Sequence, residues 1–391
     1  MLDLDDIRSR FPALASTTPD GRPIVHADAP GGTQVPQDVI DAMGAYLRAG
    51  NANAHGDYDR SQATDAMCAD VRRQAAAFLD ADADGIVFGP NMTTLTFHLA
   101  GALRRELRSG DRIVCTRLDH DATVAPGLEL AERTGAAIDW VGLDRSTGTL
   151  DLSTLRVDRA TRLIAFPAAS NALGTVVDPA PLVDAARSVG ALTFMDAVHA
   201  APHVPITRRA TGVDVVVCSP YKFFGPHAGI LSADPELLAR LTPAKVRPAP
   251  DAGPERWQSG TAAFESIAGV GAAIAYLDGI SMAAVGAHER SLTGRFLAGL
   301  TALPAVRLHG PPGADGRTPT FAVTVDGHTP ADVSRRLASD GIFTWAGHYY
   351  AVEPMRALGL LDRGGAVRIG FVHYHGDDDV DRVLDALDRL T

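Results

Sequence analysis

The segment Val213–Gly229, VDVVVCSPYKFFGPHAG, runs three β-branched residues (Val215, Val216, Val217) into a polar turn that carries Lys222. Lysine is rare in this chain: of its 36 basic residues only Lys222 and Lys245 are lysines. Arginine stays charged, whereas a desolvated lysine can lose its proton and attack a carbonyl. A lone lysine at the end of an apolar strand, beside Phe223 and Phe224, is a candidate Schiff-base amine. In isolation, a surface lysine after a core strand reads the same way.

Other groups that can do chemistry recur in similar settings. In LTFMDAVHAAPH, Asp196 ends a hydrophobic run, where an acid is costly unless paired or used as a cap, and His199 follows three residues on. Ser219 and Tyr221 place hydroxyls beside Lys222. LDHDATVAP carries His120 and AASNALG carries Asn171, each of which has an ordinary turn role as its alternative. In GPNMTTLTF, Asn91 can cap a helix that opens with Met92, Thr93 and Thr94. A helix N-terminus with free N–H groups and hydroxyls can seat a phosphate, although most only cap a helix. NANAHGDY adds His55 and Tyr58 as candidate ligand contacts.

The elements that must position these groups alternate. Strands are expected at 85–88, 112–116, 137–141, 163–168, 192–195, 213–218 and 229–232, with helices of ten to fifteen residues between several of them. That order implies an α/β domain with a mainly parallel, seven-stranded sheet between helices. Ligands in such sheets bind at the carboxyl ends of the strands, where the candidates from 91 to 222 fall. After about residue 250 the pattern changes to long helices and separated strands, a smaller α+β domain. The expected division is 21–262 for the large domain and 263–391 for the small one, with 1–20 packing on the latter.

Whole-chain properties narrow the classes. The 391 residues suffice for two domains, and a net charge of -11 argues against a nucleic-acid or anionic-membrane partner. No apolar run approaches the roughly 18 residues of a membrane span. The acidic start, MLDLDDIRSRF, lacks the basic-then-apolar order of a signal peptide. Cys68, Cys115 and Cys218 show neither metal-ligand nor disulfide spacing, which suits a reducing cytoplasm and predicts no metal.

An amine, an acid, an imidazole, an amide and a phosphate seat at successive strand ends are what pyridoxal 5′-phosphate (PLP) requires. With these motifs the chain resembles the class V aminotransferases among the fold-type I PLP enzymes, nearest to their cysteine desulfurase-like branch, from about Ile24 to Leu390. The resemblance implies that Lys222 of SPYK holds PLP and Ser219 touches its phosphate. It implies that Asp196 of DAVH pairs with the ring nitrogen and His199 bonds the phenolic oxygen. Met92 and Thr93 match phosphate-binding positions, His120 the histidine stacked on the ring, and Asn171 the asparagine at its edge. Gly260-Thr261 match a pair whose threonine reaches the neighbouring subunit's phosphate, which implies a homodimer with shared sites. Arg368 of VRIGFVHYH matches the arginine that clamps the substrate carboxylate.

The resemblance breaks at one segment. The desulfurase-like branch carries its nucleophilic cysteine in a segment like RxGxxC; here that segment is WAGHYYA. Trp345 stands where an arginine is usual and Tyr350 where the cysteine belongs, and no cysteine lies beyond residue 218. Trp345, His348, Tyr349 and Tyr350 are then expected to line a larger, more aromatic substrate pocket. The implied activity is PLP chemistry on a cysteine-derived amino acid, first of all carbon–sulfur lysis of a cysteine S-conjugate, with Lys222 as base and Tyr221 or Tyr350 as acid. Transamination, epimerisation, decarboxylating deamination, a cysteine desulfurase-like protein without persulfide activity and a PLP-binding regulator remain alternatives. A dinucleotide-binding oxidoreductase lacks its glycine fingerprint after the first strand.

Overall fold

Five parallel strands form the middle of the larger of two sheets in the computed structural model, which describes residues 2–391. In chain order the strands are β1 (Ile86–Gly89), β2 (Arg112–Thr116), β3 (Ala137–Asp144), β4 (Thr149–Asp151), β5 (Thr161–Pro167), β6 (Leu192–Asp196), β7 (Val215–Cys218) and β8 (Gly229–Ala233). They lie in the order β1-β8-β7-β6-β5-β2-β3-β4. From β7 to β3 every neighbour is parallel; β8 runs antiparallel to both β7 and β1. The central strands are buried on both faces, which explains why their sequences are continuous apolar runs rather than alternating ones.

The sheet has eight strands, not the expected seven. The extra one, β4, is three residues long and folds back antiparallel on β3 at the edge. A segment that short carries no readable period, and the turn before it, RSTG, reads only as loop.

A second sheet of four antiparallel strands, β9 (Val306–His309), β10 (Thr320–Val325), β11 (Trp345–Gly347) and β12 (Ala366–Gly370), has the order β11-β12-β10-β9. Its core joins Phe321, Val323 and Ile369 to Leu292 and Phe296 of the helix Met282–Leu300 and to Val380 and Val383 of the last helix. The helix Phe264–Asp278 packs elsewhere: its Ile267, Val270 and Ile274 share a core with Ile86, Ile164 and Val216 of the large sheet. We therefore place the domain boundary after this helix rather than before it.

The N-terminal segment touches both bodies. Phe11 meets Phe224 edge-on at 5.9 Å and Tyr374 at 5.1 Å, and Arg8 pairs with Asp379 at 2.9 Å. The loop that follows enters the seam between the sheets, where the Gly370 N–H donates to the Ala27 carbonyl at 2.8 Å. This seam brings the second sheet's Arg368 toward the carboxyl ends of the first. Among the described residues no side-chain cluster could hold a metal ion, and no single helix is long and apolar enough to cross a membrane.

Candidate active site

A cavity of about 260 Å³ opens at the carboxyl ends of the large sheet and is closed on one side by the small one. The turns after β1, β2, β5, β6 and β7 supply Met92 and Thr93, His120, Asn171, Asp196 and His199, and Ser219, Tyr221 and Lys222; Arg368 enters from β12. Residues spread over nearly three hundred positions thus converge because parallel strands place their ends along one edge.

Lys222 leaves β7 through a single 3-10 turn, held by the fully buried Phe223 and Phe224. Its Nζ donates to the Pro30 carbonyl and lies 4.7 Å from the Tyr221 ring centre. Desolvation, then the charge of Arg368, holds its amine well below the usual lysine range, which favours the neutral, nucleophilic form. Tyr221 stacks on His227 at 5.1 Å, and burial raises its phenol, keeping the hydroxyl protonated.

Asp196, the last residue of β6, is buried, and burial pushes its carboxyl up to about 6. It accepts from the Val198 N–H at 2.9 Å and from Thr123 Oγ1 at 3.3 Å. Thr123 escaped the sequence reading; its only signal is its place in the first turn of the helix after His120. His120 caps that helix by accepting from the Ala122 N–H at 3.0 Å, and desolvation lowers its pKa to about 3. Its turn is braced by Asp119, which accepts from both the N–H and the hydroxyl of Thr116 at 2.8 Å.

At the phosphate-seat candidate, Asn91 caps the helix Met92–Leu103 by accepting from the Thr94 N–H at 2.8 Å. Ser219 Oγ accepts from the Met92 N–H at 3.2 Å, so two of the matched positions already touch. Opposite, Arg368 is 3% exposed. It donates to the Asn171 carbonyl at 3.0 Å, and its guanidinium lies 4.6 Å over the Tyr349 ring. Burial lowers it to about 10.

Arg368 Nε and Asn171 Oδ1 are both buried without a partner. Such groups are costly unless something fills the space beside them. Their chemistry, one donor on a cation and one neutral acceptor, matches an amino-acid carboxylate beside a polar cofactor edge. The acid, neutral amine, imidazoles and helix N-terminus on the other side match PLP. The residues present therefore fit that group.

The segment WAGHYYA forms the remaining wall. Trp345 begins β11, is 52% exposed, and lies so close to Gly31 that a side chain there would have to displace the indole. Tyr349 and Tyr350 take left-handed backbone angles, φ +37° and +59°. They are held in place because the Tyr349 carbonyl accepts from Asn171 Nδ2 at 3.1 Å and the Tyr350 carbonyl from the Asp121 N–H at 2.7 Å. The Tyr350 ring lies 5.6 Å from His120.

Three expected substrate contacts fall outside the cavity. His348 is exposed and turns back to accept the Tyr350 N–H at 3.1 Å, so it shapes the turn rather than the pocket. His55 is exposed and pairs with Asp65 at 3.0 Å, and Tyr58 is 54% exposed. Gly260 and Thr261 also lie elsewhere, in a separate, largely apolar cavity of about 350 Å³ beside Phe88 and Trp257.

Comparison with known proteins agrees with this geometry. A family model described as aminotransferase class-V matches residues 25–383. A probable cysteine desulfurase 2 of Mycobacterium leprae is 35% identical, covering 99% of this chain and 97% of its own. A probable cysteine desulfurase of Streptomyces coelicolor is 31% identical over 100% of this chain and 97% of its own. The apo structure of a cysteine desulfurase from Thermococcus onnurineus NA1 superposes with a TM-score of 0.92 at 26% identity, covering 100% of this chain and 98% of that one.

Proposed function

Because the chain belongs to the class-V aminotransferase family and is a PLP-dependent enzyme, we propose that it cleaves the carbon–sulfur bond of a cysteine S-conjugate by β-elimination. The observation that carries this reading is the wall at 345–351: where the desulfurase-like pattern has a thiol, the cavity has the exposed rings of Trp345 and Tyr350. None of the three thiols lines the cavity; burial pushes Cys115 and Cys218 up, and Cys68 up to about 11. A substrate whose sulfur already carries a substituent needs no thiol to receive it.

Bound in the cavity, PLP supplies an aldehyde and an electron-withdrawing pyridine ring. Lys222 is the amine for that aldehyde, and Asp196 holds a proton on the ring nitrogen. His120 covers the ring, His199 faces its phenolic oxygen, and Ser219, Met92 and Thr93 hold the phosphate. Arg368 takes the substrate carboxylate, and Asn171 the edge between substrate and cofactor. A second copy of the chain contributes Gly260 and Thr261, so the working form is a homodimer.

With the substrate bound, the Lys222 amine takes the proton from its Cα. The Cβ–S bond then breaks, with its electron pair leaving on sulfur. Tyr221 or Tyr350 donates the proton that makes the thiol. With water, the remainder leaves as pyruvate and ammonia. The experiment is incubation with a panel of S-alkyl and S-aryl cysteines, assayed for thiol and pyruvate. Equal amounts of both support the reading, and neither across the panel overturns it. The relatives' names favour a second reading, sulfur removal from cysteine itself, for which alanine replaces pyruvate and an external thiol takes the sulfur atom as its persulfide.

A further inference from the structure

His199 sits on the seam between the two sheets with its Nε2 3.1 Å from both Thr318 Oγ1 and Thr320 Oγ1. The Thr318 hydroxyl has the Gly174 carbonyl at 3.3 Å to take its hydrogen, an arrangement in which it accepts from His199. Neutral His199 then carries its hydrogen on Nε2, and Nδ1 is the bare nitrogen. Four residues on, His203 packs against it, ring centres 5.3 Å apart at 64°. His203 Nδ1 in turn donates to Glu289 Oε2 at 2.8 Å, both side chains being 4% exposed. Glu289 belongs to the helix Met282–Leu300, and its other carboxylate oxygen is buried with no partner. A carboxylate buried on a single histidine is a costly arrangement for structure alone.

We propose that Glu289 is a positioning residue for the cavity: through His203 it fixes how His199 offers its free ring nitrogen there, and so couples the small domain to the protonation of bound PLP. A bare nitrogen accepts from a ring hydroxyl, and a protonated one donates to a ring oxygen, so the state of His199 sets which form of the cofactor is favoured. Desolvation and the neighbouring His203, Arg368 and Lys222 hold His199 well below the usual histidine range. His373 is a further titratable group near His203, and it in turn feels His288 and His375.

The inference rests on PLP binding and not on carbon–sulfur lysis, so its test uses no substrate. The pH midpoint of the visible absorbance is measured in the PLP-loaded protein, in E289Q, in H199Q and in the double variant. E289Q moves the midpoint by about half a unit or more. E289D restores part of it, and E289Q changes little once His199 is already Gln. An unmoved midpoint in a PLP-loaded E289Q, or the same displacement in both backgrounds, overturns the proposal. Should E289Q be insoluble, H203Q in the same two backgrounds decides by the same criteria.

Discussion

The turn at Lys222 and the wall at 345–351 face each other across one cavity and are built on opposite principles. The Lys222 turn and its partners stand at the ends of buried parallel strands, locked by fully buried phenylalanines and by short helix caps. The wall is a three-residue strand followed by two tyrosines at positive φ, with Trp345 and Tyr350 more than half exposed. Reacting groups need fixed geometry, and strand ends give it; the part that meets the variable end of a substrate can sit on a loop. The comparison predicts that changes on the Lys222 side abolish chemistry, while changes in the wall redirect it.

The largest effect belongs to Lys222. K222A should lower the rate of Cα-proton removal by about 10²–10⁴-fold, checked by single-turnover exchange of the substrate's Cα hydrogen in deuterated water. Wild-type exchange in this variant would break the assignment.

Asp196 comes next, and its sign can be worked out. Burial raises its carboxyl from 3.8 to about 6 in the folded chain. A folded pKa above the unfolded one means the native state binds more protons, so stability is lost as pH rises from about 4 through 6. Without PLP this amounts to about 3 kcal/mol at neutral pH. D196N should therefore unfold at higher temperature than the wild type at pH 7 when both lack PLP, and no higher at pH 4. The same variant should bind PLP more weakly. A thermal shift independent of pH would sink the account.

Arg368 ranks third. R368A should cut kcat/KM by about 10- to 100-fold, mostly through KM, because charged hydrogen bonds to a carboxylate are worth about 1.5–3 kcal/mol. R368K should recover only part, since a single ammonium cannot reproduce the fork or the contact with the Tyr349 ring. An effect confined to kcat would argue against the carboxylate role.

The same contrast governs what could be read from the sequence. Strand ends were legible: an acid after LTFM, a lysine after VVVCSPY and a histidine after RIVCTRLD are chemically conspicuous because apolar runs precede them. Thr123, the Pro30 carbonyl and the Glu289–His203 pair were not, since their roles depend on contacts between segments far apart in the chain. The loop residues misled. His348 and His55 bear functional side chains, yet one closes its own turn and the other pairs with Asp65. Loop direction follows from backbone angles that composition does not reveal. The strand β4 and the place of the helix Phe264–Asp278 were hidden for related reasons: one is too short to have a period, and the other is apolar enough to pack on either body.

The wall itself gives the selectivity prediction. If Trp345 and Tyr350 receive the sulfur substituent, W345A and Y350A should each reduce the preference for S-benzyl- over S-methylcysteine about tenfold, with the S-methyl rate nearly unchanged. Y350F should keep the preference, because the ring and not the hydroxyl meets the substituent. If Y350F instead loses turnover on both substrates alike, Tyr350 is the acid for the leaving sulfur and the wall belongs with the reacting groups.

The smallest effect tests the backbone rather than the chemistry. Tyr350 holds φ +59°, a conformation that costs a residue with a Cβ about 1 kcal/mol and glycine almost nothing. Its carbonyl is needed there to accept the Asp121 N–H that opens the helix behind His120. Y350G and Y350A both lose the ring, so they should lose the same substrate preference. Y350G should nevertheless be the more stable of the two by about half a kcal/mol in urea unfolding, after allowing for glycine's greater freedom in the unfolded chain. Equal or reversed stabilities would mean that the turn relaxes when the ring is gone. The tyrosine would then hold the turn, and the wall would be a movable part that its substrate contacts keep in place.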